Sequence, residues 1–402
     1  MPDLTEDEVA RRAGTTRERV RELVELGVLA RGDGTFRRGD ALRVQLVDEL
    51  EAFGIPVTRV AAAISDGALS LSYLDWFPDP PPRAGQTHAE LCDELGITFE
   101  LVERIYSGFG LPRPQAEERV RQEDLEVISD LPLLFDAGLG EGEILRAARV
   151  WGDCVRRVAQ HQVHSFHELV EEPFRRRGLS DDQVLDAAFS QIGARLIPYT
   201  HRLVVWLHRR HFERYAVEHR VGHVEAALES AGLHRKPPSR PEAAVFADLS
   251  GYTALTEELG DEAASQMALH LAELMQEVAN DHRGLAVKML GDGVHFHFQD
   301  PANAVLGSLA FVDLARARGL PPAHVGVNAG PMTYTDGDYY GLTVIIASRI
   351  AAQAGPGQVL VGESVATNNG GPEGVRFEEV GPVPLKGVAR PVTIYRAVRD
   401  AT

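Results

Sequence analysis

A proline-rich break, Lys236-Pro-Pro-Ser-Arg-Pro241, separates two stretches whose hydrophobic patterning belongs to different kinds of structure. Ahead of it, apolar residues recur at helical spacings of three and four. Behind it, short alternating runs interleave with helix-length ones. Val294-His-Phe-His-Phe298 alternates strictly, which puts Val294, Phe296 and Phe298 on the core face of a strand. A chain whose period changes in this way is α+β and multidomain, with an all-α N-terminal region followed by a domain that alternates strands and helices. Its 402 residues are enough for two or three cores. Another break, Phe77-Pro-Asp-Pro-Pro-Pro-Arg83, subdivides the helical region. The expected parts are 1–76, 88–232, a linker at 233–241, and 242–400.

Charge and composition narrow the function classes. A formal net charge of −18 opposes non-specific attraction to nucleic acid or anionic membrane. There is no charged-then-apolar leader pattern, and no apolar run approaches the roughly 20 residues of a spanning helix. The two cysteines, Cys92 and Cys154, form neither a metal motif nor a disulfide framework, and they read as packing residues in a reducing cytoplasm.

The N-terminal segments are two copies of one unit. Glu8-Val-Ala-Arg-Arg-Ala-Gly14 and Glu90-Leu-Cys-Asp-Glu-Leu-Gly96 are offset by 82 residues, and each copy later carries Arg-x-x-Asp, at Arg37/Asp40 and Arg121/Asp124. The first copy resembles a MerR-type helix-turn-helix with residues 16–24 in the recognition position. DNA binding needs a cationic face there. Arg17, Arg19 and Arg21 provide one, but Glu18, Glu22 and Glu25 interleave with them, so DNA is a disfavoured partner beside protein contacts.

Residues 144–232 read as further helices and, with His234, carry nine of the fifteen histidines. The stretch 199–232 has no proline and reads as one long helix. His201, Val205, His208, Phe212, Tyr215 and His219 lie along one stripe of it, as on a half-buried face. Histidines among apolar partners are candidate regulatory residues, because their ordinary pKa is about 6.5 and protonation in a dry interface disfavours that interface. The groups His219/His223 and His161/His164/His167 lack the cysteine or carboxylate partners of a defined metal motif. A regulatory proton and a lipid-like ligand are both compatible with this region.

In the last 160 residues five motifs stand in order: Phe246-Ala-Asp248-Leu-Ser-Gly-Tyr-Thr253, Lys288-Met-Leu-Gly-Asp292-Gly, Asp338-Tyr-Tyr-Gly341, Ser348-Arg349 and Pro384-Leu-Lys-Gly387. Residues 243–249 read as a strand and 261–282 as a helix, followed by two strands around Gly291-Asp292-Gly293, an order that suits a ferredoxin-like βαββαβ sheet. Over about 155 residues this pattern resembles the class III nucleotidyl cyclase catalytic domain. The resemblance implies that Asp248 and Asp292, with the Leu249 carbonyl, hold two Mg²⁺ or Mn²⁺ ions, hard cations that prefer oxygen. It implies that Lys288 and Asp338 read the base. A cation and a carboxylate match adenine's ring nitrogen and amino group, whereas the guanine carbonyl would be repelled by Asp338, so ATP is the expected substrate. Arg349 would stabilise charge on the α-phosphate, and Lys386 would contact the terminal phosphates. Ser250, Gly251, Tyr252 and Thr253 open a helix whose free N–H groups can receive phosphate oxygens, with Gly251 permitting close approach. In that family the metal-binding residues come from one subunit and the base-reading residues and arginine from the other, which implies a head-to-tail homodimer.

One position departs from the pattern. Counting from Asp338, the family's arginine falls eleven residues on, at Arg349, but its asparagine, seven on, is Ile345 here. That asparagine is held to orient the ribose, and loss of one positioning hydrogen bond costs on the order of 10²–10³ in rate, roughly 3–4 kcal/mol. A helix shifted by one residue would offer Thr343 instead, but the fixed Arg349 argues against such a shift. The expected protein is a cytoplasmic, homodimeric adenylate cyclase forming 3′,5′-cyclic AMP and pyrophosphate, weak or tightly regulated by its N-terminal region, with pH as a candidate signal. The alternatives are a catalytically inactive nucleotide sensor and a DNA-binding regulator with a cyclase-like sensor domain.

Overall fold

The computed structural model describes residues 4–32, 34–77, 82–233, 241–367 and 371–400. The expected linker at 233–241 and the first proline-rich break lie mostly outside the described residues. The chain forms two compact units, residues 1–222 and 223–402. Its architecture is α+β: helices dominate the first unit, and a mixed sheet organises the second.

The repeat seen in the sequence is a repeat of local chemistry. Helix Glu6–Ala13 opens on Thr5, which accepts from Glu8 N–H at 3.3 Å while Glu8 returns a bond to Thr5 N–H at 2.7 Å. Eighty-two residues on, Thr87 and Glu90 make the same reciprocal pair at 3.2 and 2.8 Å at the start of helix His88–Leu95. Satisfying two otherwise orphaned donors in this way fixes each helix start. Thr16 and Thr98 then cap the following helices, Arg17–Glu25 and Phe99–Phe109. In the first copy Leu4 bridges to Phe36; in the second, strand β1 (Arg83–Thr87) pairs with β2 (Arg119–Arg121). Each copy has its own core, around Val9, Leu23 and Phe36 in one and Leu91, Val102 and Val120 in the other.

The arginines of the first copy are not a free cationic face. Arg17 pairs with Asp7, Arg21 with Glu6 at 2.8 Å, and Arg19 with Glu22, Asp48 and Glu51. Cys92 is buried as expected, but Cys154 is exposed and does not pack.

The rest of the first unit is built on helix Glu141–Phe166 and most of the long helix Ala194–Ser230, which runs past residue 222. The long helix begins before residue 199 and carries Pro198 inside it. Its histidine stripe corrects the half-buried expectation. His201, His208 and His219 are exposed, and so are Val205 at 60%, Phe212 at 65% and Tyr215 at 47%. His208 lies edge-on to Trp151 and stacks with Phe212. His164 and His167 face Glu168 and Glu171 one helical turn on. Among the described residues no helix is long and apolar enough to cross a membrane.

In the second unit β3 (Ala243–Leu249), β4 (Gly284–Leu290), β5 (Gly293–Phe298) and β6 (Ala323–Ala329) form an antiparallel core in the order β6-β3-β5-β4. That is the βαββαβ arrangement, since helices Asp261–Asp281 and Pro301–Ala317 connect these strands. An arm of β7 (Thr333–Thr335) and β8 (Asp338–Tyr340) follows β6. Strand β9 (Val359–Gly362) then joins β6 in parallel, and β11 (Val392–Arg399) and β10 (Val375–Val383) complete seven strands.

Alternation along β3 sorts its residues between two faces. Val245, Ala247 and Leu249 join Phe296, Phe298, Leu271, Leu274 and Val278 in the main core. Phe246 and Asp248 therefore point to the opposite face. Helix Leu342–Ala351 covers that second face, and Gly326 is what lets it seat. A Cβ there would lie 2.1 Å from Ala351 N and 2.5 Å from Ala347 O.

Candidate active site

Asp248 ends the second-face row of β3, opposite Gly293 on β5 and His324 on β6. Asp292 occupies the β4–β5 turn, where Gly291 supplies a φ of 72°. The Leu249 N–H donates to the Asp292 carbonyl and to Asp248 Oδ1, each at 3.2 Å, which ties the two motifs together. Burial raises the Asp248 pKa, the Asp292 charge raises it further, and His324 opposes them. Two like charges held this close form a site that a cation would relieve. Among the described residues no group of three or more His, Cys, Asp or Glu side chains is arranged to hold a metal ion by itself. A metal held by Asp248 and Asp292 must complete its shell from backbone carbonyls, water or substrate oxygens, as hard divalent ions do.

Sequence reasoning missed His324. Its Nε2 lies 3.9 Å from Asp248 Oδ2 and its Nδ1 3.0 Å from Ser250 Oγ. Only the β3–β6 register brings it there, and no local motif announces it. The Ser250 hydroxyl is thereby engaged, and its backbone N–H donates to Pro322 O at 2.9 Å, so the free N–H groups of this segment begin after Ser250. Helix Tyr252–Leu259 follows, with Gly251 before it at φ 79°, a left-handed conformation that disfavours any other residue. Open space surrounds the missing Cβ, so backbone conformation and not close approach to the chain demands this glycine. Tyr252 donates its hydroxyl to Ala264 O at 2.9 Å and packs against the core, leaving only its backbone N–H for a ligand. The Thr253 side chain lies outside the described residues.

Lys288 and Asp338, fifty residues apart, form an ion pair. Asp338 is the first residue of β8, not merely a turn residue, and the turn before it is made by Asp336 and Gly337 at φ 54° and 81°. Burial pushes the Asp338 carboxyl upward, but the Lys288 ammonium and the Tyr339 N–H outweigh it and hold the pKa below its ordinary value. The pair rests on a cross-strand row on the second face, Gly326, Phe246, His295 and Lys288.

Arg349 and Ile345 are one turn apart on the exposed side of helix Leu342–Ala351, with Ile345 48% exposed. Thr343 is no substitute for the missing asparagine. It is buried on the opposite side, its hydroxyl donates to Pro331 O at 2.8 Å, and its carbonyl accepts from Asn328. Lys386 is exposed in the loop joining β10 and β11, at the sheet edge opposite β4, where buried Leu385 anchors the loop. The structure thus brings Asp248 beside Asp292 and Lys288 beside Asp338, while Arg349 and Lys386 stand on separate elements.

Comparison with known proteins finds adenylate cyclases among those similar to this chain. Residues 23–211 match the adenylate cyclase regulatory domain family. A pH-sensitive adenylate cyclase of Mycobacterium tuberculosis is 28% identical over 323 residues, 78% of each chain. An adenylate cyclase of Streptomyces coelicolor is 27% identical over 282 residues, 70% of each. The crystal structure of an adenylyl cyclase from P. aeruginosa is 24% identical, with a TM-score of 0.35, and covers 40% of this chain and 94% of its own.

Proposed function

Since this chain belongs to the class III nucleotidyl cyclases that carry a regulatory N-terminal domain, we propose that it converts ATP to 3′,5′-cyclic AMP and pyrophosphate. One observation carries the reading: Asp248 and Lys288 rise from one face of the seven-stranded sheet, with Asp292 in its β4–β5 turn and Asp338 brought to Lys288 by the separate β7–β8 arm. The ribose 3′-oxygen would attack the α-phosphorus, the bond to the bridging oxygen would break, and the hydroxyl proton would pass to solvent. Mg²⁺ or Mn²⁺ at Asp248 and Asp292 would acidify that hydroxyl and offset triphosphate charge. Lys288 would donate to the adenine ring nitrogen, and Asp338 would accept from its amino group. Arg349 would donate to the α-phosphate. Its exposure in the single chain suits a site completed by a second copy, in a head-to-tail homodimer.

The test is product formation from ATP and from GTP by the full-length protein with Mn²⁺, at pH 5.5 and 8. Cyclic AMP that vanishes in Asp248→Ala supports the proposal. Absence of product at both pH values, with Ile345→Asn gaining turnover, would instead make the protein a nucleotide sensor. The DNA-regulator reading is disfavoured because the arginines it needs are paired within the fold. We also propose that the first unit regulates turnover, with protons acting at His201, His208 and His219. Removal of residues 1–240 should then raise activity and flatten its pH profile; an unchanged rate and profile would refute regulation by this region.

A further inference from the structure

His295 occupies a position where its strand has no evident need for a histidine. Its neighbours Val294 and Phe296 fill the main core, and alternation turns His295 to the second face. It is nevertheless fully buried, its ring stacked on Phe246 at 4.5 Å with an interplanar angle of 8°. Both ring nitrogens lack a hydrogen-bond partner among the described residues. Buried polar atoms are rarely left so, and an apolar ring would fill the space at lower cost. The base-reading carboxylate stands close by, with His295 Nδ1 3.8 Å from Asp338 Oδ1. Burial keeps the imidazole neutral, moving its pKa down to about 4, so one nitrogen carries a proton and the other does not. Next along the strand, His297 stacks on Tyr339 at 4.0 Å and hydrogen-bonds Glu242 at 3.2 Å, which pins the arm that presents Asp338.

We propose that His295 is a positioning residue for purine selection. When an adenine ring draws the Lys288 ammonium away from Asp338, the neutral His295 Nδ1–H donates to Asp338 Oδ1 and holds the other oxygen toward the exocyclic amino group. Closing the gap needs a shift of just under 1 Å to reach the ordinary N–H···O distance of about 2.9–3.0 Å. The Phe246 stack fixes the plane in which that shift occurs. This inference rests on the cyclase reading in so far as Lys288 and Asp338 contact the base.

Binding of the non-cyclisable 3′-deoxy-ATP and 3′-deoxy-GTP to the full-length protein with Mn²⁺ tests it without requiring turnover. His295→Phe should lower the ATP-over-GTP affinity ratio by about tenfold, the size expected for one hydrogen bond to a charged group. His295→Asn, which keeps a donor, should recover much of that ratio. An unchanged ratio in His295→Phe, while Asp338→Ala alters it, would leave His295 a packing residue and overturn the inference alone. An unchanged ratio in Asp338→Ala as well would overturn the base-reading assignment beneath it. Histidine ¹⁵N NMR of the unmutated protein with 3′-deoxy-ATP gives a readout independent of any variant's folding. His295 should appear as the Nδ1–H tautomer; the Nε2–H tautomer would refute the proposal.

Discussion

Replacing Gly326 by alanine tests how the helix carrying Ile345 and Arg349 is held. The new Cβ would lie 2.1 Å from Ala351 N, 2.5 Å from Ala347 O and 2.6 Å from Ala351 Cα, where an ordinary contact begins at 3.4 Å. The helix must therefore retreat by about 1.3 Å, the difference between 3.4 and 2.1 Å. Overpacking usually costs about 1–3 kcal/mol, and backbone on both sides removes the escape of a rotamer change, so a loss near ~3 kcal/mol is expected. A misplacement of ~1 Å at catalytic groups lowers rate by roughly 10². The three tryptophans, Trp76, Trp151 and Trp206, all lie in the first unit. Urea unfolding followed by tryptophan fluorescence reports on that unit, whereas far-ultraviolet circular dichroism reports on both. Gly326→Ala should move the dichroism transition and leave the fluorescence transition in place. Gly222→Ala, whose Cβ would meet nothing within 4 Å in the long helix, is the control and should stabilise by up to ~1 kcal/mol. A loss below ~1 kcal/mol with undiminished turnover in Gly326→Ala would refute this account of the helix seat.

Three further outcomes follow from the same structure. Ile345→Asn should raise kcat for cyclic AMP by about 10–10², because it restores a ribose-facing amide, with stability changed by less than ~0.5 kcal/mol at this exposed site; steady-state kinetics and a urea melt check both. Burial depresses the His295 pKa to about 4 in the folded protein against its ordinary value of 6.5, so the unfolded chain binds the extra proton between those values. Stability of the second unit should therefore fall as pH drops from 6.5 toward 4, by up to about 3 kcal/mol for His295, with His297 and His282 acting in the same direction. Urea melts across that range should show a shallower slope in His295→Phe, and identical slopes would contradict the assignment. The full-length protein should show no salt-dependent retention on duplex DNA, because Arg17, Arg19 and Arg21 are paired with carboxylates of their own fold; a steep salt slope in a gel-shift titration would reverse that conclusion.

The sequence by itself determined what depends on neighbours a few residues away. Thr5 with Glu8 and Thr87 with Glu90 set two helix starts, because a capping box is complete within four residues. Strict alternation in 294–298 set which side chains enter the core, because a strand's period is two whatever packs against it. Asp248 at a strand end and Asp292 in the following hairpin turn were legible from local pattern as well. Tertiary structure alone decided the rest. His324 reaches Asp248 through a strand register, Thr343 is withdrawn by Pro331 and Asn328, and His295 comes within 3.8 Å of Asp338 on an arm that begins at Thr333. The histidine stripe on the long helix shows the converse, since helical spacing gives a face but not what covers it. Register and the covering of a face are settled by contacts between residues far apart in the chain, and no local pattern encodes which distant segment will arrive.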